Sequence, residues 1–268
     1  MVRLFPHARR FPQAERLGKG LMAIVLLLAA LQLSPAAPSA RADSIDDALA
    51  HPGRTEADLK RDALDHPADV LKLAAIKPGM TVADVLAGDG YYSEILSYLV
   101  GPTGHVLLIN NTAFDKWGEG WDARLAGDRL PNVKHETLDL NALQLAPHSL
   151  DAVLLIKVYH DLYWVDSRGT WPKIDVGSVL DQLAQALKPH GVLLLVDHSA
   201  KKGHGSSDAG TLHRIEESFA LKDFKVHGFK LVGKSEVLRM PLDERDQISY
   251  KGPMLGKTDR FVLVFRKT

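Results

Sequence analysis

From Ser44 onward the chain alternates between short apolar runs and segments whose apolar residues recur every three or four positions. Thr55 ahead of Glu56 and Asp58 reads as a helix N-cap with an acidic first turn. Pro67 stands where a further helix can begin, and Val70, Leu71, Leu73 and Ile76 keep helical spacing until Lys77-Pro78-Gly79 stops it. Thr81 to Leu86 predicts a strand, Ala87-Gly88-Asp89-Gly90 a tight turn, and Tyr91 to Val100 a helix ended by Gly101-Pro102. A second strand is predicted over His105 to Ile109, followed by loop and short helix to Leu130, and a weak third strand starts at Asn132. Leu150 to Val158 is apolar almost throughout, the pattern of a strand buried on both faces.

An amphipathic helix over 174–187, closed by Lys188-Pro189-His190-Gly191, leads into a fifth strand from Val192 to Val196. A loop rich in Gly, Ser and His (199–210) precedes a predicted helix over 211–227. Phe229 to Val237 and Arg260 to Phe265 predict two late strands. The polar stretch between them is too short for a long helical crossover, so the final strand is expected antiparallel. Strand and helix alternate through the middle, which predicts an α/β fold: a mostly parallel seven-stranded sheet with an antiparallel last strand and helices on both faces. Residues 43–76 supply N-terminal helices and 77–268 the core.

The first forty residues change the picture. Arg3, Arg9, Arg10, Arg16 and Lys19 precede an uncharged apolar run from Leu21 to Leu33, and a Pro/Ala/Ser stretch ends in Ala40-Arg41-Ala42. That is the order of a secretory signal peptide, so residues 1–42 are expected to be a leader and the protein to be exported, in a periplasmic setting. The run is shorter than the ~20 residues a bilayer span needs, so no stable span is expected once the leader is cleaved. Without the leader, 27 basic and 32 acidic residues remain, a net charge of −5. That balance argues against a nucleic-acid partner. The absence of cysteine excludes disulfides, thiolate nucleophiles and Cys-ligated zinc.

In parallel sheets of this kind, ligands bind outside the carboxyl ends of the strands, where strand order reverses. The turn after the first strand, Asp84-Val85-Leu86-Ala87-Gly88-Asp89-Gly90, is therefore the candidate site. Gly88 and Gly90 let a ligand approach the backbone, and the following helix start offers free N–H groups. Asp84 at the strand end can accept hydrogen bonds from a ligand ammonium.

Here the sequence resembles the class I S-adenosylmethionine-dependent methyltransferases. Asp84 stands for the acid of their first motif, and Gly88 and Gly90 for its last two glycines, with Leu86 in place of the first. His148-Ser149-Leu150-Asp151-Ala152-Val153 and Leu187-Lys188-Pro189-His190-Gly191-Val192 are similar to the family's lead-ins to strands four and five. The resemblance covers roughly residues 65 to 267. It is closer still to an exported bacterial branch carrying Tyr91-Tyr92, Tyr159-His160-Asp161, Asp197-His198, Thr211-Leu212-His213-Arg214 and Gly256-Lys257-Thr258-Asp259-Arg260. It implies a Rossmann-like methyltransferase fold and S-adenosylmethionine contacts at Asp84, Gly88, Gly90, Tyr91, Asn110, Asp139 and Leu140. Asn110 (or Asn111) would face the ribose hydroxyls in place of the usual acid, and Asp139 the adenine amine.

Tyr159, His160 and Asp161 follow the apolar fourth strand and are expected to line the cleft mouth, with Asp197 and His198 beside them. His160 or His198 is the expected base that deprotonates a small-molecule methyl acceptor, and Asp161 orients the ring or binds an acceptor amine. His213 and Arg214 are expected to close over the same cleft. His160, Asp197, His198, His204 and His213 have no metal-binding spacing such as His-x-x-x-His, so no metal site is expected. Lys257, Asp259 and Arg260 are expected to pair locally. Trp117, Trp121, Trp164 and Trp171 either cap an acceptor or fold the long loops onto the sheet. The alternative to an enzyme is an exported, non-catalytic small-ligand-binding protein on a degenerate methyltransferase fold. Leu86 and Asn110 favour it, as does export away from the cytosol, where S-adenosylmethionine is made.

Overall fold

The computed structural model describes residues 44–118 and 120–268, and the predicted leader lies outside them. Seven strands run β1 (Thr81–Val85), β2 (His105–Asn110), β3 (Val133–Thr137), β4 (Leu150–Ile156), β5 (Leu187–His198), β6 (Phe229–Ser235) and β7 (Arg260–Lys267). They form one sheet in the order β3-β2-β1-β4-β5-β7-β6. β7 pairs antiparallel with both β5 and β6, and the pairs among β1 to β5 are parallel. This is the Rossmann-like arrangement expected, with the reversal of strand order between β1 and β4.

The central strands bury both faces. Val82, Ala152, Leu154, Leu194, Val196 and Val262 pack on one side with α3 (Pro67–Ala74) and α4 (Tyr91–Val100). Ala83, Val85, Val153, Leu155, Leu193 and Leu263 pack on the other with α7 (Val176–Ala186) and α8 (Glu217–Val226). The period of two along each strand divides its residues between these two cores. α1 (Ile45–Leu49) and α2 (Glu56–Asp65) complete the N-terminal layer, each opened by a capping box, from Ser44 and from Thr55 with Asp58. α5 (Thr112–Trp117) and α6 (Trp121–Leu125) follow β2. No helix among the described residues is long and apolar enough to cross a membrane.

Three features differ from expectation, and the first is that β5 begins at Leu187, five residues before Val192. The helix predicted over 211–227 begins only at Glu217. His213 takes a left-handed φ of 51°, and Ile215 bridges to Ser199 in parallel, so this segment runs beside the end of β5 before the helix starts. The late-strand loop also pairs across the fold, where local pairing was expected. Arg260 Nη1 reaches Asp65 Oδ1 at 2.6 Å, and Nη2 reaches the Leu64 carbonyl at 2.6 Å.

Asp65, the last residue of α2, gathers three cations. Besides Arg260, Lys157 Nζ lies 2.8 Å from Oδ2 and Arg61 Nε also 2.8 Å. The carboxylate joins the N-terminal helices to the ends of β4 and β7. Burial disfavours its charge, but Lys157 and Arg61 outweigh that and hold the carboxyl well below the usual range. A depressed native pKa contributes stability above the unfolded value, lost as pH falls. Asp65→Asn is expected to cost about 3–5 kcal/mol by leaving buried cations unpaired. Urea unfolding at neutral pH measures that loss, and the gap to wild type should narrow below about pH 4.

Candidate functional site

The turn after β1 is built from strained and side-chain-free positions. Leu86, Gly88 and Gly90 have φ of 54°, 61° and 79°. A leucine in the left-handed region costs roughly 1–2 kcal/mol, which the burial of Leu86 in the core offsets. At Gly90 a Cβ would lie 2.7 Å from Leu108 Cδ1, so packing requires the glycine. At Gly88 a Cβ would meet nothing within 4 Å. From α6, Arg124 braces the turn: its Nε donates to the Asp89 carbonyl at 2.8 Å, and its guanidinium pairs with Asp58 and Glu94.

A cavity of about 930 Å³ opens beside this turn at the carboxyl ends of the strands. Leu86, Ala87, Gly88 and Asp89 form one wall; Lys157, His160, Asp161, His198 and His213 are on others. A second cavity of about 790 Å³, beyond the ends of β2 and β3, is lined by Asn111, Asp139 and Leu140. Trp117 and Thr170 line both, so the two cavities are neighbours on either side of these residues.

Several expected contacts fall elsewhere. Asp84 is buried beneath the turn, accepts a 2.7 Å hydrogen bond from Ser93 Oγ, and does not line either cavity. Tyr91 is buried under α2: its hydroxyl donates to Asp62 at 2.5 Å and its ring lies 3.9 Å from the Arg61 guanidinium. Asn110 does not point a free amide at a ligand. Its Oδ1 accepts from the Gly88 N–H at 2.9 Å and its Nδ2 donates to the Gly88 carbonyl at 3.0 Å, clamping the turn. Gly118 packs on the same residue so closely that a Cβ there would lie 2.8 Å from the Gly88 carbonyl carbon. Tyr159 also turns away from the mouth, into a hydroxyl cluster with Tyr163 and Asp223. Asp139 caps the short turn after β3 through a 2.9 Å bond from the Asn141 N–H, and sits with Leu140 on the second cavity.

The histidines divide by their neighbours. His160 is buried between two carboxylates: Nδ1 lies 2.7 Å from Asp197 Oδ1 and Nε2 3.3 Å from Asp161 Oδ1. Burial works against a charged ring, but Asp161 and Asp197 outweigh it and lift His160 to about 10. Burial likewise opposes the Asp161 charge, yet His160 draws that carboxyl down to about 2. His160 is therefore charged near neutrality and is not the free base expected of it. His198 is the opposite case. Burial, with the cationic His160 nearby, holds it neutral well below the ordinary imidazole value. Its Nδ1 hydrogen-bonds Thr258 Oγ1 at 2.7 Å, and its Nε2 has no partner among the described residues. His213 reaches the site as expected, but Arg214 is fully buried against Asp243 and the Ser199 carbonyl and serves as an anchor. His204 bonds Asp208, apart from this group.

Some cavity residues left no local signal in the sequence. Arg61 and Asp65 arrive from α2 only because that helix docks on the sheet. Burial, followed by the nearby Arg61, lowers the Lys157 ammonium to about 8. Arg260 lines the cavity, and its buried Nε has no hydrogen-bond partner among the described residues. The Trp residues split as well. Trp117, Trp164 and Trp171 cluster with ring centroids 5.8–5.9 Å apart, while Trp121 stacks on His135 at 3.6 Å, away from the cavities.

No family model matches the chain, and no curated protein matches its sequence. Solved structures do share its fold. An S-adenosylmethionine-dependent methyltransferase from Aquifex aeolicus is 21% identical with a TM-score of 0.55, covering 75% of this chain and 89% of that one. One from Mesorhizobium loti is 17% identical with a TM-score of 0.52, covering 76% and 98%. The (4+2)-cyclase SpnF is 14% identical with a TM-score of 0.55, covering 77% and 81%. The chain thus has the methyltransferase fold, a scaffold that also carries a cyclase.

Burial pushes the Asp84 carboxyl up to about 7, against the pull of the Ser93 hydroxyl. A raised carboxyl pKa in the native state removes stability as pH rises from the unfolded value, near 4, to the folded one. Asp84→Asn keeps an oxygen acceptor for Ser93 and carries no charge. It should match wild type at pH 4 and exceed it at pH 8, by up to ~4 kcal/mol, in urea unfolding at the two pH values.

Proposed function

We propose that the chain binds S-adenosylmethionine across its two neighbouring cavities and methylates a small acceptor. The supporting observation is the position of the larger cavity: it lies at the reversal of strand order, with the open face of Gly88 on one wall and the neutral His198 on another. The residues fit a nucleoside cofactor at the Gly88 backbone and at Asp139 and Leu140, which line the adjoining cavity. The cofactor's carboxylate suits the side where Arg61, Lys157 and Arg260 surround the single Asp65. When bound, the cofactor supplies an electrophilic methyl group. With Nδ1–H donated to Thr258, His198 Nε2 has a lone pair to take the acceptor's proton. Trp117 and Trp164 cover the apolar side of an acceptor. A leader over residues 1–42 would place this chemistry in an exported, periplasmic protein.

A second reading has an observation of its own. Asn110 is spent on the Gly88 peptide, and Gly118 packs on that peptide, so the position that would face a ribose is already filled from within. That favours an exported, non-catalytic small-ligand-binding protein on the same fold.

Calorimetric titration of the full chain with S-adenosylmethionine separates the two. Binding in the micromolar to sub-millimolar range usual for enzyme ligands is expected, and no heat at ~1 mM would sink the methyltransferase reading. Gly88→Leu, with a side chain entering the cavity, should weaken binding by about two orders of magnitude, or roughly 2.7 kcal/mol. Circular dichroism of that variant should match wild type.

A further inference from the structure

We infer that His160 Nε2, Asp161 Oδ1 and His213 Nδ1 form a binding site for one divalent transition-metal ion, zinc by preference, open to the larger cavity. The three atoms make a nearly equilateral triangle. His160 Nε2 is 3.3 Å from Asp161 Oδ1 and 3.3 Å from His213 Nδ1, and His213 Nδ1 is 3.3 Å from Asp161 Oδ1. A tetrahedral zinc ion with bonds of ~2.0–2.1 Å spaces its ligands roughly 3.3–3.4 Å apart. The triangle has that spacing without any side-chain movement. Two imidazoles and one carboxylate are also the donor set that zinc and iron(II) take with a position left open.

The surroundings are those of a metal site as well. Asp197, fully buried, receives the far nitrogen of His160 at 2.7 Å and the His160 backbone N–H at 2.8 Å. With Nδ1–H given to Asp197, the His160 ring turns Nε2 to the triangle, where a dication would displace the proton that otherwise sits there; Asp197 then stands as the outer-sphere carboxylate of a ligating histidine. Three potential donor atoms thus stand 3.3 Å from one another, with the Asp197 carboxylate behind them. Such a cluster requires positive charge at its centre, and a dication supplies more of it than a shared proton.

His213 is held for this role at a backbone cost. Its φ of 51° is left-handed, and its carbonyl is fixed by Ser249 Oγ at 2.9 Å. Trp164 and Tyr250 flank its ring, with centroids 5.5 and 4.6 Å away. All three donor residues line the larger cavity, so the remaining coordination position faces the space where a small molecule would sit. The ligand class is then a small molecule offering an oxygen or nitrogen donor. Sequence spacing conceals the site, because two ligands are adjacent and the third is 53 positions away.

The site is independent of any cofactor and is tested without one. The full chain, free of any affinity tag, is stripped with a chelator and titrated with zinc by calorimetry and with cobalt(II) by visible absorption. One equivalent of each is expected, with the d–d bands of four-coordinate cobalt. Asp161→Asn and His213→Ala should each weaken binding by about a hundredfold or more, and Asp197→Asn by about ten- to a hundredfold. His204→Ala, which removes an exposed histidine outside the triangle, should leave it unchanged. His213 lies at the cavity edge, so its variant keeps the test open if Asp161→Asn fails to fold. Absence of metal uptake by the folded wild type overturns the proposal, and so does equal uptake by wild type and His213→Ala. A site that holds only a proton gives the first of these results.

Discussion

The carboxylate of Asp65 is the point on which the arrangement of this molecule depends. Helix α2 has little apolar surface of its own, with Leu59 and Leu64 both substantially exposed. Its attachment to the sheet is therefore ionic to an unusual degree. One buried anion meets cations from α2 itself, from the end of β4 and from the start of β7. Buried ion groups of this kind seldom add much net stability over an apolar alternative, because desolvation cancels most of the attraction. What this group constrains is the docking, since α2 must bring Asp65 to Lys157 and Arg260 at once, the two partners that lie off the helix. That docking also carries Arg61 and Asp65 to the cavity wall.

The same logic recurs around the turn after β1. Arg124 reaches Asp58, Glu94 and the Asp89 carbonyl, while Asn110 holds both polar groups of the Gly88 peptide. Backbone that is strained at Leu86 persists because its surroundings over-determine it. The ends of the parallel strands are thus a rigid rim, and the polar residues at β4 and β5 inherit that rigidity. Fixed side chains at fixed separations are a requirement for recognising a small ligand or ion.

Much of this architecture was legible in the sequence. Strands β1, β2, β4 and β5 announced themselves by apolar runs between Gly and Pro stops, β3 only weakly because its Val-Lys-His-Glu-Thr is polar and half-exposed, and the antiparallel β7 by the length of the loop before it. The N-cap at Thr55 with its acidic first turn and the proline at the start of α3 were read from local chemistry. The site was less legible, for a physical reason. The positions of Gly88, Asp161, His198 and His213 follow from topology, but partners do not. Arg260 reads as a local pair for Asp259 until the fold brings it to Asp65, 195 residues away. Asp84 and Tyr91 match a ligand-binding pattern by position, yet their side chains are consumed in packing the loop. His160 and His198 look alike in the sequence and become opposites, because carboxylates surround one, while burial, reinforced by nearby cations, holds the other neutral.

The close packing of Gly118 on Gly88 has a consequence for occupancy. Any molecule that reaches that face of the Gly88 peptide must first displace the segment after α5, which acts as an internal competitor for the same surface. Part of such a ligand's affinity would be spent on moving protein, and its apparent dissociation constant would rise by the inverse of the fraction of molecules already open. The linkage runs both ways: whatever loosens the segment at Gly118 tightens binding, with no new contact to the ligand. Trp117, next to Gly118, half exposed and lining both cavities, is the natural fluorescent reporter of any such displacement.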